Sequence, residues 1–149
     1  MKVSDALVSV SKVYFDAAPL VYYVEENPAY VKQMDAVIEQ IERAVIDAFS
    51  SVILLPEVLM HPTRLGKTQL VKAYRDILFN SRQFQLVAVS IEIAERATNL
   101  RAAYNLRTPD AIHVATALET GCEIFLTNDN GLKRLSEIRV LILDDVEVG

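Results

Sequence analysis

Five short apolar runs alternate with helical patterns along this chain, and that alternation restricts the fold more than any other feature. The runs are KVYF (12–15), AVIDAF (44–49), QLVAV (85–89), EIFL (123–126) and RVLIL (139–143). Parallel strands cannot be joined by tight hairpins; each connection must cross the sheet, usually as a helix. The expected architecture is therefore α/β, a three-layer α/β/α sandwich with a central parallel sheet of about five strands. No repeat, low-complexity segment or linker divides the chain, so residues 1–149 are expected to form one domain.

Local signals place the helices. Asn27 and Pro28 are the expected cap and first residue of a helix running to Ala44, with Tyr30, Met34, Val37, Ile38 and Ile41 at helical spacing. Ser50 or Ser51 is expected to cap VILLPEVLMH, where Pro56 removes a backbone hydrogen bond. GKTQLVKAYRDILFN turns Leu70, Tyr74, Ile77 and Leu78 to one face. SIEIAERATNLRAAYNL starts at a Ser90 cap and is expected to bury Ile91, Ala94, Ala97 and Leu100. The clearest helix is TPDAIHVATALETG, with Thr108 as cap, Pro109 in first position and Gly121 as the left-handed stop.

Composition narrows the function classes. The chain is 52% hydrophobic with four glycines, too apolar to remain disordered. A single cysteine, Cys122, excludes an intrachain disulfide and fits a reducing compartment. No apolar run is long enough to span a membrane, and the amino terminus is too short and mixed for a signal peptide. The expectation is a soluble, cytoplasmic protein with no membrane contact. The formal net charge of −5 opposes strong non-specific binding to nucleic acid. It is compatible with carboxylates concentrated in one place.

Four carboxylates fall where parallel sheets bind ligands, outside the carboxyl ends of the strands. Asp16 ends the first strand, Glu57 lies more than a turn into the helix after the second, Asp110 opens the clearest helix, and Asp129 follows EIFLTN. Two like charges ~4 Å apart at an effective dielectric near 20 repel by roughly 4 kcal/mol, a penalty that a divalent cation removes. Oxygen donors favour magnesium or manganese over zinc. His61 and His113 belong to no ligand cluster, and His113 reads as a packed or surface histidine.

Taken singly, these acids have plainer explanations. Asp110 suits a helix dipole and Asp129 an ordinary turn, whereas Asp16 and Glu57 sit in apolar settings where an unpaired carboxylate is costly. There is no GxSxG, and GKT at 66–68 lacks the upstream glycine of a phosphate-binding loop. Tyr22 and Tyr23 read as core residues, and Asp144 with Asp145 as a solvated tail. A phosphotransfer receiver is a poor fit, because Asp16 stands alone after its strand and QLVAV ends in Ser90.

VYFDAAPLVYYVEENPAY, LLPEVLMHP, LRTPDAIHVATALETG and FLTNDNGLKRL together resemble the successive motifs of PIN domains, in particular the VapC-type toxins of toxin–antitoxin pairs. The LRTPDAIHVATAL and LTND blocks are the most specific. The resemblance implies a magnesium- or manganese-dependent endoribonuclease in which a metal-activated water attacks the RNA phosphate. It assigns Asp16, Glu57, Asp110 and Asp129 as both catalytic and metal-binding residues, with Thr127 and Asn128 orienting the last carboxylate and its water. Arg107, Lys133 and Arg134 flank this set and are the expected RNA-backbone contacts. The implied partners are an RNA substrate, a cognate antitoxin and a second copy of the chain, docked through the early helices. Ala17 and Ala18 depart from the family pattern, which has a hydroxyl residue after the first aspartate. That departure keeps open the alternative of a weak or inactive PIN-like module that binds RNA or protein.

Overall fold

Five strands, β1 (Lys12–Phe15), β2 (Asp47–Ser51), β3 (Phe84–Val87), β4 (Ile124–Thr127) and β5 (Arg139–Ile142), pair in parallel in the order β3-β2-β1-β4-β5. The computed structural model describes residues 1–148. Around the sheet lie α1 (Val3–Ala6), α2 (Ala17–Val24), α3 (Val31–Ala44), α4 (Leu54–Arg64), α5 (Thr68–Asn80), α6 (Ile91–Tyr104) and α7 (Thr108–Glu119). This is the three-layer α/β/α sandwich that the alternating pattern predicts.

The pleat of β1 divides the core. Val13 and Phe15 pack with residues of α1 and α3 on one face, whereas Tyr14 joins Phe125, α6 and α7 on the other. Tyr14 stacks on Phe125 with ring centroids 5.1 Å apart, which anchors β1 to β4 beneath α7. A third cluster, Leu20, Leu54, Val58, Tyr74 and Leu78, ties α2, α4 and α5 together. Leu70 and Ile77 lean on it half-buried, so the expected apolar face of α5 is real.

Several boundaries differ from those expected, each for a local reason. β2 begins at Asp47 rather than at Ala44, because α3 continues to Ala44 and Val45 then turns the backbone left-handed at φ 53°. The strand accordingly includes Ser50 and Ser51, both buried; Ser50 Oγ donates to the Phe15 carbonyl at 2.8 Å. Neither serine is the N-cap of α4, although Ser51 Oγ accepts from the Ile53 N–H at 3.2 Å. Pro56 falls in the first turn of α4, where an N–H has no intrahelical partner, so it costs no bond. Pro62 is the proline inside that helix.

α3 starts at Val31, not at Pro28. Asn27 forms a turn before it, its Oδ1 accepting from the Ala29 N–H at 2.9 Å and its carbonyl from the Val31 N–H at 2.8 Å. Ser90 caps α6 as expected, accepting from the Ile93 N–H at 3.1 Å. Ile91 and Ala94, however, are exposed, and Ile93 is buried alongside Ala97 and Leu100. Arg107, not Thr108, is the cap residue of α7, and Gly121 ends that helical segment at φ +74°.

Chain order positions the functional end of the sheet. β2 and β3 extend the sheet to one side of β1, whereas β4 and β5 extend it to the other. The order therefore reverses between β1 and β4, and it is outside the carboxyl ends at such a reversal that parallel sheets characteristically take ligands. Among the described residues, no helix is long and apolar enough to cross a membrane.

Candidate functional site

Asp16 stands at that reversal point. It follows β1 directly and caps α2, its Oδ1 accepting from the Ala17 N–H at 2.8 Å. Its backbone N–H continues the ladder to the Leu126 carbonyl of β4 at 3.0 Å. Thr127, the last residue of β4, donates its hydroxyl to Asp16 Oδ2 at 2.7 Å and accepts from the Asp129 N–H at 3.1 Å. A chain of donors thus runs from the Asp129 backbone through Thr127 to the Asp16 carboxylate.

Asp129 opens a 3₁₀ turn, Asn130–Arg134, and its Oδ1 accepts from the Gly131 N–H at 2.9 Å. A Cβ at Gly131 would stand 3.1 Å from that same oxygen, so only glycine leaves the carboxylate undisturbed. Glu57 and Asp110 reach the rim from the first turns of α4 and α7. Glu57 is earlier in its helix than the sequence suggests, because α4 begins at Leu54.

Each of these two acids already has a partner. Arg107 Nε lies 3.0 Å from Asp110 Oδ2, and its Nη2 lies 3.4 Å from Oδ1. Glu57 Oε1 is 2.5 Å from His113 Nε2.

The electrostatics bear the mark of the convergence. Burial pushes the Asp16 carboxyl above the ordinary aspartate range; His113, Thr127 and the Ala17 N–H oppose that shift, and Asp110 reinforces it. The Arg107 guanidinium is held more firmly protonated by its hydrogen bond to Asp110, with smaller contributions from Asp129 and Glu57. Asp16 thus feels the charge of Asp110, and Arg107 those of Asp110, Asp129 and Glu57. Among the described residues, no three Asp, Glu, His or Cys side chains stand close enough to close on one ion as they are. The acids are gathered at one rim, with Asp110 turned to Arg107 and Glu57 to His113. Their donor atoms are all carboxylate oxygens, a set suited to a hard divalent cation.

The flanking residues divide. Arg107 is exposed beside the rim. Lys133 is paired with Asp145 at 2.7 Å, and Arg134 donates to the carbonyls of Gly131 at 2.9 Å and Tyr104 at 2.7 Å. Asn128 turns away from Asp129, its Oδ1 accepting from the Asp144 N–H at 3.0 Å. Asp144 and Asp145 are exposed but belong to an ordered 3₁₀ turn, Leu143–Asp145, rather than a loose tail. His113, expected to be a packed or surface histidine, is packed and almost fully buried, but its bond to Glu57 was not anticipated. The available signal was its spacing: three residues after Asp110, it shares that residue's helix face.

A family model described as PIN domain matches residues 13–138. A structure described as a toxin–antitoxin complex from Klebsiella pneumoniae aligns with TM-score 0.66 at 24% identity, over 88% of this chain and 97% of that one. A DNA-bound VapBC structure from Salmonella typhimurium aligns with TM-score 0.72 at 14% identity, over 89% of this chain and 98% of that one. VapC20 of Mycobacterium tuberculosis, described as a sarcin-ricin loop cleaving toxin, aligns with TM-score 0.62 at 14% identity, over 85% and 98%. No curated protein matches the sequence. At these identities the structural likeness speaks for the fold.

Proposed function

The chain belongs to the PIN domain family, and on that premise we propose that it is a divalent-metal-dependent endoribonuclease acting as the toxin of a toxin–antitoxin pair. The observation that carries the reading is the placement of Asp16 and Asp129 just past β1 and β4 and of Glu57 and Asp110 in the first turns of α4 and α7, with Thr127 joining Asp16 to the Asp129 backbone. These four acids would hold magnesium or manganese, which supplies a Lewis acid that activates water and offsets charge on the phosphodiester. The remaining work falls to the protein's own groups. Thr127 and the Ala17 N–H fix the Asp16 rotamer, and the Gly131 N–H fixes that of Asp129. Arg107, exposed beside the acids, is the basic side chain best situated to meet an RNA phosphate.

The toxin role draws support from the descriptions of similar folds as VapBC and toxin–antitoxin complexes. A cognate antitoxin, a homodimer built through the early helices, a cytoplasmic location and a single domain over the whole chain complete the proposal. Arg107–Asp110 and His113–Glu57 pairing favours one rival, a PIN-like module that binds RNA without cutting it.

Cleavage of a mixed RNA pool in magnesium or manganese separates the two, using wild type, Asp129→Asn and an EDTA control. Asp129→Asn keeps the oxygen that accepts from Gly131, so it preserves the turn while removing a charge. The expected outcome is metal-dependent cutting by wild type and a loss of roughly 100-fold or more in the variant. Equal cutting by both proteins, or none by folded wild type, would sink the nuclease reading.

A further inference from the structure

One buried polar side chain outside the four acids is aimed at them. His113 of α7 is 1% exposed, and both of its ring nitrogens are engaged. Nδ1 lies 2.5 Å from the Tyr14 hydroxyl, while Nε2 lies 2.5 Å from Glu57 Oε1 and 4.0 Å from Asp16 Oδ1. The imidazole thus sits between two carboxylates carried by different elements, and it is braced from behind by a residue of the central strand. Packing alone does not call for a histidine here, since an apolar ring would fill the same space without polar atoms to satisfy.

The direction of the hydrogen bonds follows from Glu57. Its carboxylate oxygen only accepts, so Nε2 carries the ring hydrogen that faces it. With one ring hydrogen, Nδ1 is then an acceptor, and the buried Tyr14 hydroxyl donates to it. The edge-on packing of the two rings, 5.7 Å between centroids at 68°, holds the imidazole in that plane.

We propose that His113 is the positioning residue for Glu57: with its N–H directed by Tyr14, it holds the Glu57 carboxylate at the rim beside Asp16, ready to serve as a cation ligand. This rests on the reading of the rim as a metal site. His113 acts through Glu57 and touches neither metal nor RNA. α4 carries Glu57 on a helix whose contacts are mostly to α5 and α2, so the bond to α7 is what ties this acid to the others. Partners of this kind change metal affinity by roughly 10- to 100-fold.

The test is manganese binding by calorimetry on metal-stripped full-length protein, which needs no RNA substrate. H113Q keeps an N–H near the Nε2 position, whereas H113N keeps a polar group only near Nδ1. H113N is expected to bind manganese roughly 10- to 100-fold more weakly than wild type, and H113Q to recover most of that loss. Y14F removes the hydroxyl with little change in volume, and it is expected to weaken binding in the same direction even if H113N folds poorly. In an E57Q background the effect of H113N should disappear, because the group it positions is gone.

Equal affinities in wild type, H113N and Y14F would overturn the proposal and leave the metal-site reading intact. So would equal losses in H113N and H113Q, or an undiminished H113N effect in E57Q, either of which marks a purely structural role. No manganese binding by folded wild type would overturn both readings together.

Discussion

Asp16 is a carboxylate whose surroundings oppose its own charge. Burial raises its pKa, His113, Thr127 and the Ala17 N–H pull it back, and Asp110 raises it further. A native pKa above the unfolded one means that the folded protein binds the proton more tightly. The stability linked to that proton is fully present below the ordinary carboxyl range and is lost as pH rises through the raised native value. Asp16→Asn still caps Ala17 and can present an amide N–H to the Thr127 oxygen. In metal-free protein at neutral pH it is expected to raise the thermal midpoint by about 2–4 °C. The gain should shrink towards zero as pH falls below the ordinary carboxyl range. Scanning calorimetry in EDTA at several pH values checks this, and a lower midpoint for the variant at pH 7 would count against it.

Helix ends carry the strain and the surprises. α3 stops at Val45, an exposed β-branched residue held at φ 53° and ψ 51°, where the left-handed conformation lets the Ile46 N–H reach the Ile41 carbonyl at 2.9 Å. A Cβ in that conformation costs roughly 1–2 kcal/mol, and branching adds to it. α6 makes the same turn with Asn105 at φ 55°, a residue type that tolerates it. Val45→Gly is expected to stabilise the fold by about 1 kcal/mol, because part of the relief is offset by the entropy of glycine in the unfolded chain. Urea unfolding would read this as a higher midpoint at unchanged slope. A lower midpoint would mean that Val45 contributes packing the exposed position does not suggest. The same helix end explains why AVIDAF misleads: its first residues finish α3 before β2 begins.

Across the whole molecule, parallel order brings together acids more than a hundred residues apart in sequence, as the Thr127–Asp16 bond illustrates. The net charge of −5 leaves little general attraction for RNA. Of the three basic side chains flanking the rim, Lys133 is occupied by Asp145 and Arg134 by two carbonyls, leaving Arg107 beside its single carboxylate partner. RNA affinity is therefore expected to depend only weakly on salt, with a log–log slope no steeper than about −2, corresponding to roughly three phosphate contacts or fewer on a single strand. Anisotropy of labelled RNA on Asp129→Asn protein across a salt series measures it. A slope steeper than about −4 would point to a basic track elsewhere on the surface.

Periodicity and caps were enough to determine the strand–helix alternation, the parallel sandwich, the Ser90 cap and the Gly121 stop, because each depends on residues close together in the chain. The same local logic marked Asp16, Glu57, Asp110 and Asp129 as acids near strand or helix ends. Tertiary structure decided the rest. It set the reversal of strand order between β1 and β4, joined Thr127 to Asp16, turned Asn128 to the Asp144 backbone and occupied Lys133 and Arg134. It also made a buried histidine the link between α4 and α7. None of these pairings has a sequence period, because hydrogen bonds across the sheet and between layers are fixed by which elements pack together, and packing joins residues that the chain keeps apart.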